Sequence, residues 1–388
     1  MKSMQDQAMV QEIMQAFAMR TGLIGTAVNP KRYLWTDAFA VCNFLRLYQD
    51  SGDIEYKDLA LKLVDQVHHI LGRHREDDTR SGWISGLNEE EGEKHPTIGG
   101  LRIGKPLNER KPGEPIDEQL EWEQDGQYFH YLSKWMHALS RVTQVTGDQQ
   151  YNRWAIELAK TAHAKFSYRL QGHMEKRMYW KMSIDLSHPL VSSMGQHDAL
   201  DAFITYQELA VIAAGDPERS EDTDLSAEIA DALGMCHNIH WMTDDPLGIG
   251  GLLSDAYRLT QLIMHSSLKE VDMLLKLLQT AKEGLDAFVN TNNLSYPAEY
   301  RLAFRELGLA IGLKAIKKMK HLLPDEPLVK NLEQYQSLAD EIIRFWLSKE
   351  NQKNSTWQEH IDINSVMLAT ALAPEGYQEL HKGEDHGK

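Results

Sequence analysis

The chain has 388 residues, two cysteines and a net charge of −16, with 42% hydrophobic and 25% charged side chains. That balance is ordinary for a globular protein with a full core. The acidic excess, without a clustered Lys/Arg face, argues against nucleic acid and anionic membranes as partners, and Cys42 and Cys236 give no disulfide framework, so a reducing compartment is expected.

The first residues, MKSMQDQAMVQEIM, contain no apolar signal region, and no window reaches 18 uninterrupted apolar residues, so a cytoplasmic protein without membrane spans is expected. Helical periodicity dominates from there on. It predicts helices over 4–19, 36–50, 54–74, 126–146, 149–168, 194–214, 223–239, 250–264, 268–289, 298–320, 328–348 and 357–373. Those starting near 36, 126, 194, 250, 298 and 357 are apolar on most sides. Those near 4, 54, 149, 223, 268 and 328 carry a clear polar face. Buried and amphipathic helices therefore alternate.

The connections alternate as well. Links from a buried helix to the following amphipathic one are mostly short and repeat a signature at Gly52-Asp53, Gly147-Asp148 and Gly215-Asp216, where glycine can end one helix and aspartate can cap the next. Links in the other direction are long, notably 75–125 and 169–193, with β-like patches around Thr97–Gly104 and Met178–Leu186. Two further glycine features stand out. Gly308 and Gly312 are four apart, where a neighbouring backbone could approach, and Gly248–Gly251 opens a helix where a ligand could. The expected organisation is one domain over 1–375 and a polar, mobile tail over 376–388.

Six hairpins, with repeated Gly-Asp turns and long links on one face, resemble the (α/α)6 toroid of the six-hairpin glycosidase-like superfamily over about residues 4–373. The resemblance implies an all-α fold of two concentric helical rings, and a carbohydrate-active enzyme, in the first reading a glycoside hydrolase using a pair of rim carboxylates on a short or modified saccharide. An open helical solenoid is the rival architecture, but the Gly-Asp turns fall 95 and then 68 residues apart, too irregular for one.

Candidate site residues gather on the long-link face. Trp35, Trp83, Trp122, Trp180, Trp357 and Tyr128 are candidate sugar-stacking platforms, because flat apolar faces with polar edges suit a sugar ring. Glu299 is a further substrate-binding candidate. The rim carboxylates Asp37, Asp125 and Asp198 are catalytic candidates, since glycoside hydrolysis needs two carboxyl groups across a sugar, ~6.5–9.5 Å apart in the inverting geometry. Asp125 and Asp198 start adjacent buried helices, and adjacent helices pack ~8–10 Å apart. Asp125 reads as an N-cap, while Ser193–Gln196 and Thr356–Glu359 have capping-box spacing.

His197 and His360 follow those two boxes in the same register, and His130 lies near the start of its own helix. In the superfamily, N-acyl-glucosamine 2-epimerases use two histidines as acid and base on either side of the sugar. The resemblance therefore implies a second reading, a sugar epimerase or isomerase using His197 and His360. A third is a sugar-binding or scaffold protein without chemistry. No cofactor or metal is expected. Asp77-Asp78 and Asp244-Asp245 lack the further aspartate of a diphosphate–metal motif, and no P-loop, G-x-S-x-G or dinucleotide fingerprint occurs.

Overall fold

The computed structural model describes residues 2–25, 30–111, 113–169, 176–237, 239–266, 268–291 and 293–380. Its long helices are α1 (Lys2–Arg20), α2 (Leu34–Ser51), α3 (Ile54–Leu71), α4 (Phe129–Thr146), α5 (Gln150–Phe166), α6 (Asp198–Ala213), α7 (Ser226–Cys236), α8 (Pro246–His265), α9 (Val271–Asn290), α10 (Ala303–Leu322), α11 (Gln336–Leu347) and α12 (Ile361–Leu372). The order and kind of the elements follow the hydrophobic periodicity. Helix α6 is buried along nearly its whole length, whereas α9 buries one stripe through Leu274, Leu278, Ala281, Leu285 and Phe288. The chain falls into two compact units.

One unit comprises Thr21–Leu45 and Ile54–Ile239. Its α4–α5 hairpin turns as its sequence dictates. Gly147 takes the left-handed conformation (φ 81°), its N–H donates to the Thr143 carbonyl, and Asp148 accepts the Gln150 N–H at 2.9 Å. The turn after α6 differs. Gly215 is not left-handed there, and Asp216 instead receives both arms of the Arg153 guanidinium at 2.8 Å.

The long links of this unit are ordered. Strands β1 (Gln127–Tyr128), β4 (Lys181–Met182) and β5 (Pro189–Val191) form an antiparallel sheet, with Tyr128 opposite Lys181 and Met182 opposite Pro189. Strands β2 (Ser167–Arg169) and β3 (Lys176–Met178) pair antiparallel beside it in sequence. The patch at 97–104 is not a strand. Its backbone groups bond one at a time to scattered partners: Leu101 N–H to the Gln127 side chain, Arg102 N–H to Leu71 O, and Ile103 N–H to Gly126 O. The alternating apolar residues Leu101 and Ile103 are buried, so the pattern records burial without a ladder.

The other unit comprises Met1–Arg20, Arg46–Asp53 and His240–Lys388. Helices α8 and α10 meet backbone to backbone. A Cβ on Gly250 would come within 2.1 Å of the Gly308 carbonyl oxygen, and one on Gly312 within 2.4 Å of the Gly250 oxygen. Of the glycines at the start of α8, Gly250 therefore admits a helix rather than a ligand, while Gly251 faces open space. Helix α1 packs on α12, with Arg20 Nε 3.0 Å from Asp362. Part of the segment expected to be mobile, 376–380, is packed. Tyr377, Gln378 and Leu380 are buried, and Gln378 donates to the Ile311 carbonyl at 2.7 Å; residues 381–388 lie outside the described residues. No helix among the described residues is long and apolar enough to cross a membrane.

Candidate active site

Helices α4 and α6 are joined by buried polar pairs. Lys134 Nζ lies 2.7 Å from Asp201 Oδ1, and His137 Nδ1 lies 2.9 Å from Glu208 Oε2, with Ser140 also donating to Glu208. Partner numbers rise together along both helices, so the two run parallel and their first turns lie at the same end. That end carries His130 on α4, and His197 and Asp198 on α6.

Asp198 is the first residue of α6 and only 3% exposed. Its Oδ2 accepts the Gly195 N–H at 3.1 Å, and a Cβ at residue 195 would meet the carboxyl group at 2.3 Å. Glycine is required there for the loop to close over the acid. Burial, then the neighbouring Asp201 charge, push the Asp198 carboxyl up to about 7, against the Gly195 bond and the Lys134 charge. A helix N-terminus favours the ionised form by itself. Here desolvation and the like charge win.

The expected Ser193–Gln196 capping box does not form. His197 occupies the N-cap without a side-chain cap bond, and the close approach of Gly195 to Asp198 takes the place of the box. The Thr356–Glu359 box is absent as well, because Asn354 caps a separate short helix and Thr356 bonds to the Ala298 carbonyl. His360, like His197, is an N-cap residue without a side-chain cap bond, so the shared register is real although its predicted cause is not.

His130, in the first turn of α4, is half-buried. Desolvation lowers its imidazole to about 4, with Asp201 opposing and Lys134 and His197 assisting. An aromatic wall runs outward from it. Tyr128 stacks on His130 at 5.8 Å and on Trp180 at 5.1 Å, and the edge of Trp122, itself 52% exposed, meets Trp180 at 5.3 Å. On the other side Trp35 contacts His130 and Tyr131, and Tyr131 shares a 2.7 Å hydroxyl bond with Tyr33. The tryptophan enrichment of the long links is thus partly a single assembly.

Other candidates are placed elsewhere. Asp125 is fully buried and accepts from four donors: Arg102 at 2.6 Å, Arg75 at 3.3 Å, and the Gly104 and Gly126 N–H groups at 3.0 and 3.1 Å. Helix α4 starts four residues later, capped by Tyr128, so Asp125 is not an N-cap. It braces the 75–125 link. Asp37 is buried beside Arg32 at 3.4 Å and accepts the Tyr33 N–H at 2.9 Å. Trp83 is a core residue of the same link, covered by the Arg73 guanidinium at 4.3 Å. In the other unit Trp357 is buried against Trp346, Glu299 is exposed near Asn354, and His360 is exposed with its ring edge toward Phe304. Among the described residues no group of three or more His, Cys, Asp or Glu is placed to hold a metal ion.

No family model matches the chain, and no curated protein matches it in sequence. Solved structures do. A GH76 α-mannanase from Bacteroides thetaiotaomicron is similar at a TM-score of 0.54 and 10% identity, covering 95% of each chain. The GH76A α-1,6-mannanase from Salegentibacter sp. HEL1_6 is similar at 0.51 and 14%, covering 95% of this chain and 99% of its own. The cellobiose 2-epimerase from Spirochaeta thermophila is similar at 0.51 and 13%, covering 96% and 97%. The fold is the six-hairpin (α/α)6 toroid.

Within the six-hairpin toroid, the first turns of α4 and α6 hold three of the expected catalytic candidates, His130, His197 and Asp198. The sequence reading missed Lys134 and Tyr131. A signal for Lys134 was present: a lysine one turn after His130, in a helix otherwise too apolar to face water, needs a buried partner.

Proposed function

We propose that the chain is a carbohydrate-active enzyme in which Asp198 donates and His130 accepts a proton, and that its reaction is the epimerisation or isomerisation of a sugar. The observation that carries this reading is one end of the α4–α6 pair holding a carboxyl group raised to about 7 and an imidazole lowered to about 4, beside an aromatic wall. A carboxyl group titrating near neutrality suits general-acid work. A neutral imidazole can take a proton from carbon next to a carbonyl, and Asp201 stabilises the imidazolium that forms. Tyr128, Trp180 and Trp122 supply stacking faces for a sugar, and His197, which acts on His130, is the second proton-transfer candidate. Solved proteins of similar fold include a D-mannose isomerase, at a TM-score of 0.52 and 13% identity, as well as the mannanases and the epimerase.

A second reading is glycoside hydrolysis with Asp198 as general acid, favoured by its raised pKa beside a second carboxylate. It ranks second because the carboxylates expected to oppose Asp198 are engaged by other groups. Asp125 is engaged by four donors, and Asp201 is ion-paired with Lys134 on the same helix as Asp198.

Turnover in deuterated water, on a panel of mono- and disaccharides, distinguishes the readings. Deuterium entering the carbon next to the carbonyl, without new reducing ends, supports the first. New reducing ends without deuterium in carbon support the second. D198N is expected to lose about 100-fold or more in turnover. Unchanged turnover in D198N would remove both readings.

A further inference from the structure

Two carboxyl groups of the same chemical type, Asp198 and Asp201, stand three residues apart on the first turn of α6, on one face of the helix and both at most 5% exposed. Two like charges so close and so poorly solvated cannot both be ionised at little cost. The Asp198 carboxyl group feels the Asp201 charge, the Gly195 N–H and the Lys134 charge; Asp201 pairs with Lys134, and His130 of α4 feels Asp201, Lys134 and His197. On the other helices packed against α6, His163 of α5 and Asp231 of α7 face each other at 3.2 Å. The buried Lys134 ammonium pairs with one of the two carboxyl groups, Asp201.

We propose that Lys134 is a positioning residue that decides which of the two carboxyl groups holds the proton: by pairing with Asp201 it makes Asp201 the carboxylate and leaves Asp198 as the acid. The geometry distinguishes the two sharply. Asp201 receives the ammonium at 2.7 Å, whereas Asp198 receives one neutral backbone N–H at 3.1 Å. Charge-assisted bonds are roughly twice as strong as neutral ones, so the ionised form belongs on Asp201. Lys134 sits one turn after His130, and its charge adds to the burial that lowers that imidazole. One lysine thus bears on both the acid and the base. The inference rests on the acid–base reading above, but it can be tested without any substrate.

The experiment is a pH titration of aspartate side-chain carboxyl carbons by carbon-13 NMR, on the unliganded full chain. The wild type should show one carboxyl group titrating near 7, absent in D198N. In K134M the two carboxyl groups share the proton, and the midpoint should rise by about one pH unit or more; K134R should restore it to within about half a unit. In D201N the like charge is gone while the ammonium remains, so the midpoint should fall by about one unit or more. This variant keeps the test decisive if K134M does not fold. A midpoint that stays put in D201N, or in folded K134M, overturns the proposal, as does a wild-type spectrum with no carboxyl group titrating near neutrality. If the midpoints move as stated while D198N retains full turnover, the proton assignment stands and the catalytic reading falls.

Discussion

Asp198 has a cost that can be measured apart from any reaction. Its carboxyl group is raised to about 7 in the folded chain, so the folded state binds a proton more tightly than the unfolded one. The stability it contributes is complete below the ordinary carboxylate range and is lost as pH rises through about 7. Replacement by asparagine removes this dependence. Thermal denaturation should find D198N gaining on the wild type between about pH 5 and about pH 8, by as much as about 3 kcal/mol. A constant difference across that range would show that the acid is not perturbed. Gly195 is the companion case. An added Cβ would collide with the Asp198 carboxyl group, so G195A should displace the acid and lower turnover by about tenfold or more, with the fold intact by circular dichroism. His197 and Asp198 were legible as a pair because they stand directly before a run too apolar to face water, although the capping box expected beside them does not form. Asp125 and Trp83 looked equally exposed to chemistry, yet their roles depend on Arg75, Arg102 and Arg73, partners that no local spacing reveals.

At the scale of elements, the tightest constraint is the crossing of α8 and α10. Gly250 and Gly308 bring the two backbones into contact, so a methyl group at 250 has nowhere to go. G250A should cost about 3 kcal/mol or more, read as a fall in the denaturation midpoint, while G251A, which meets nothing within 4 Å, should be nearly silent. Asp125 provides the contrasting case of a loop anchored by charge. D125N would leave the buried Arg102 guanidinium without its carboxylate, at about 3–5 kcal/mol, while Arg75 keeps its pairing with Asp77. Limited proteolysis should then cut the 75–125 link before the helices. Helices and hairpin turns could be read from the sequence because periodicity and turn chemistry are local. The links could not, since Arg110 bonds to Leu190 O, 80 residues away, and Leu101 N–H to the Gln127 side chain.

At the scale of the molecule, the alternation of buried and amphipathic helices carried the fold through a sequence that no family model matches. That pattern is what a six-hairpin toroid demands of any chain, and many residue choices satisfy it. The site is a different matter: it depends on a few polar residues on buried helix faces. The pairs Lys134–Asp201 and His137–Glu208 also fix how the first unit moves. Sliding α4 along α6 by one turn, ~5.4 Å, would strand an ammonium, an imidazole and two carboxyl groups in the core at once. Neither helix can open without the other. Backbone amides of 134–141 and 201–208 should therefore exchange with deuterium through one shared, slow event, and that event should quicken in both segments together when only Glu208 is replaced by glutamine.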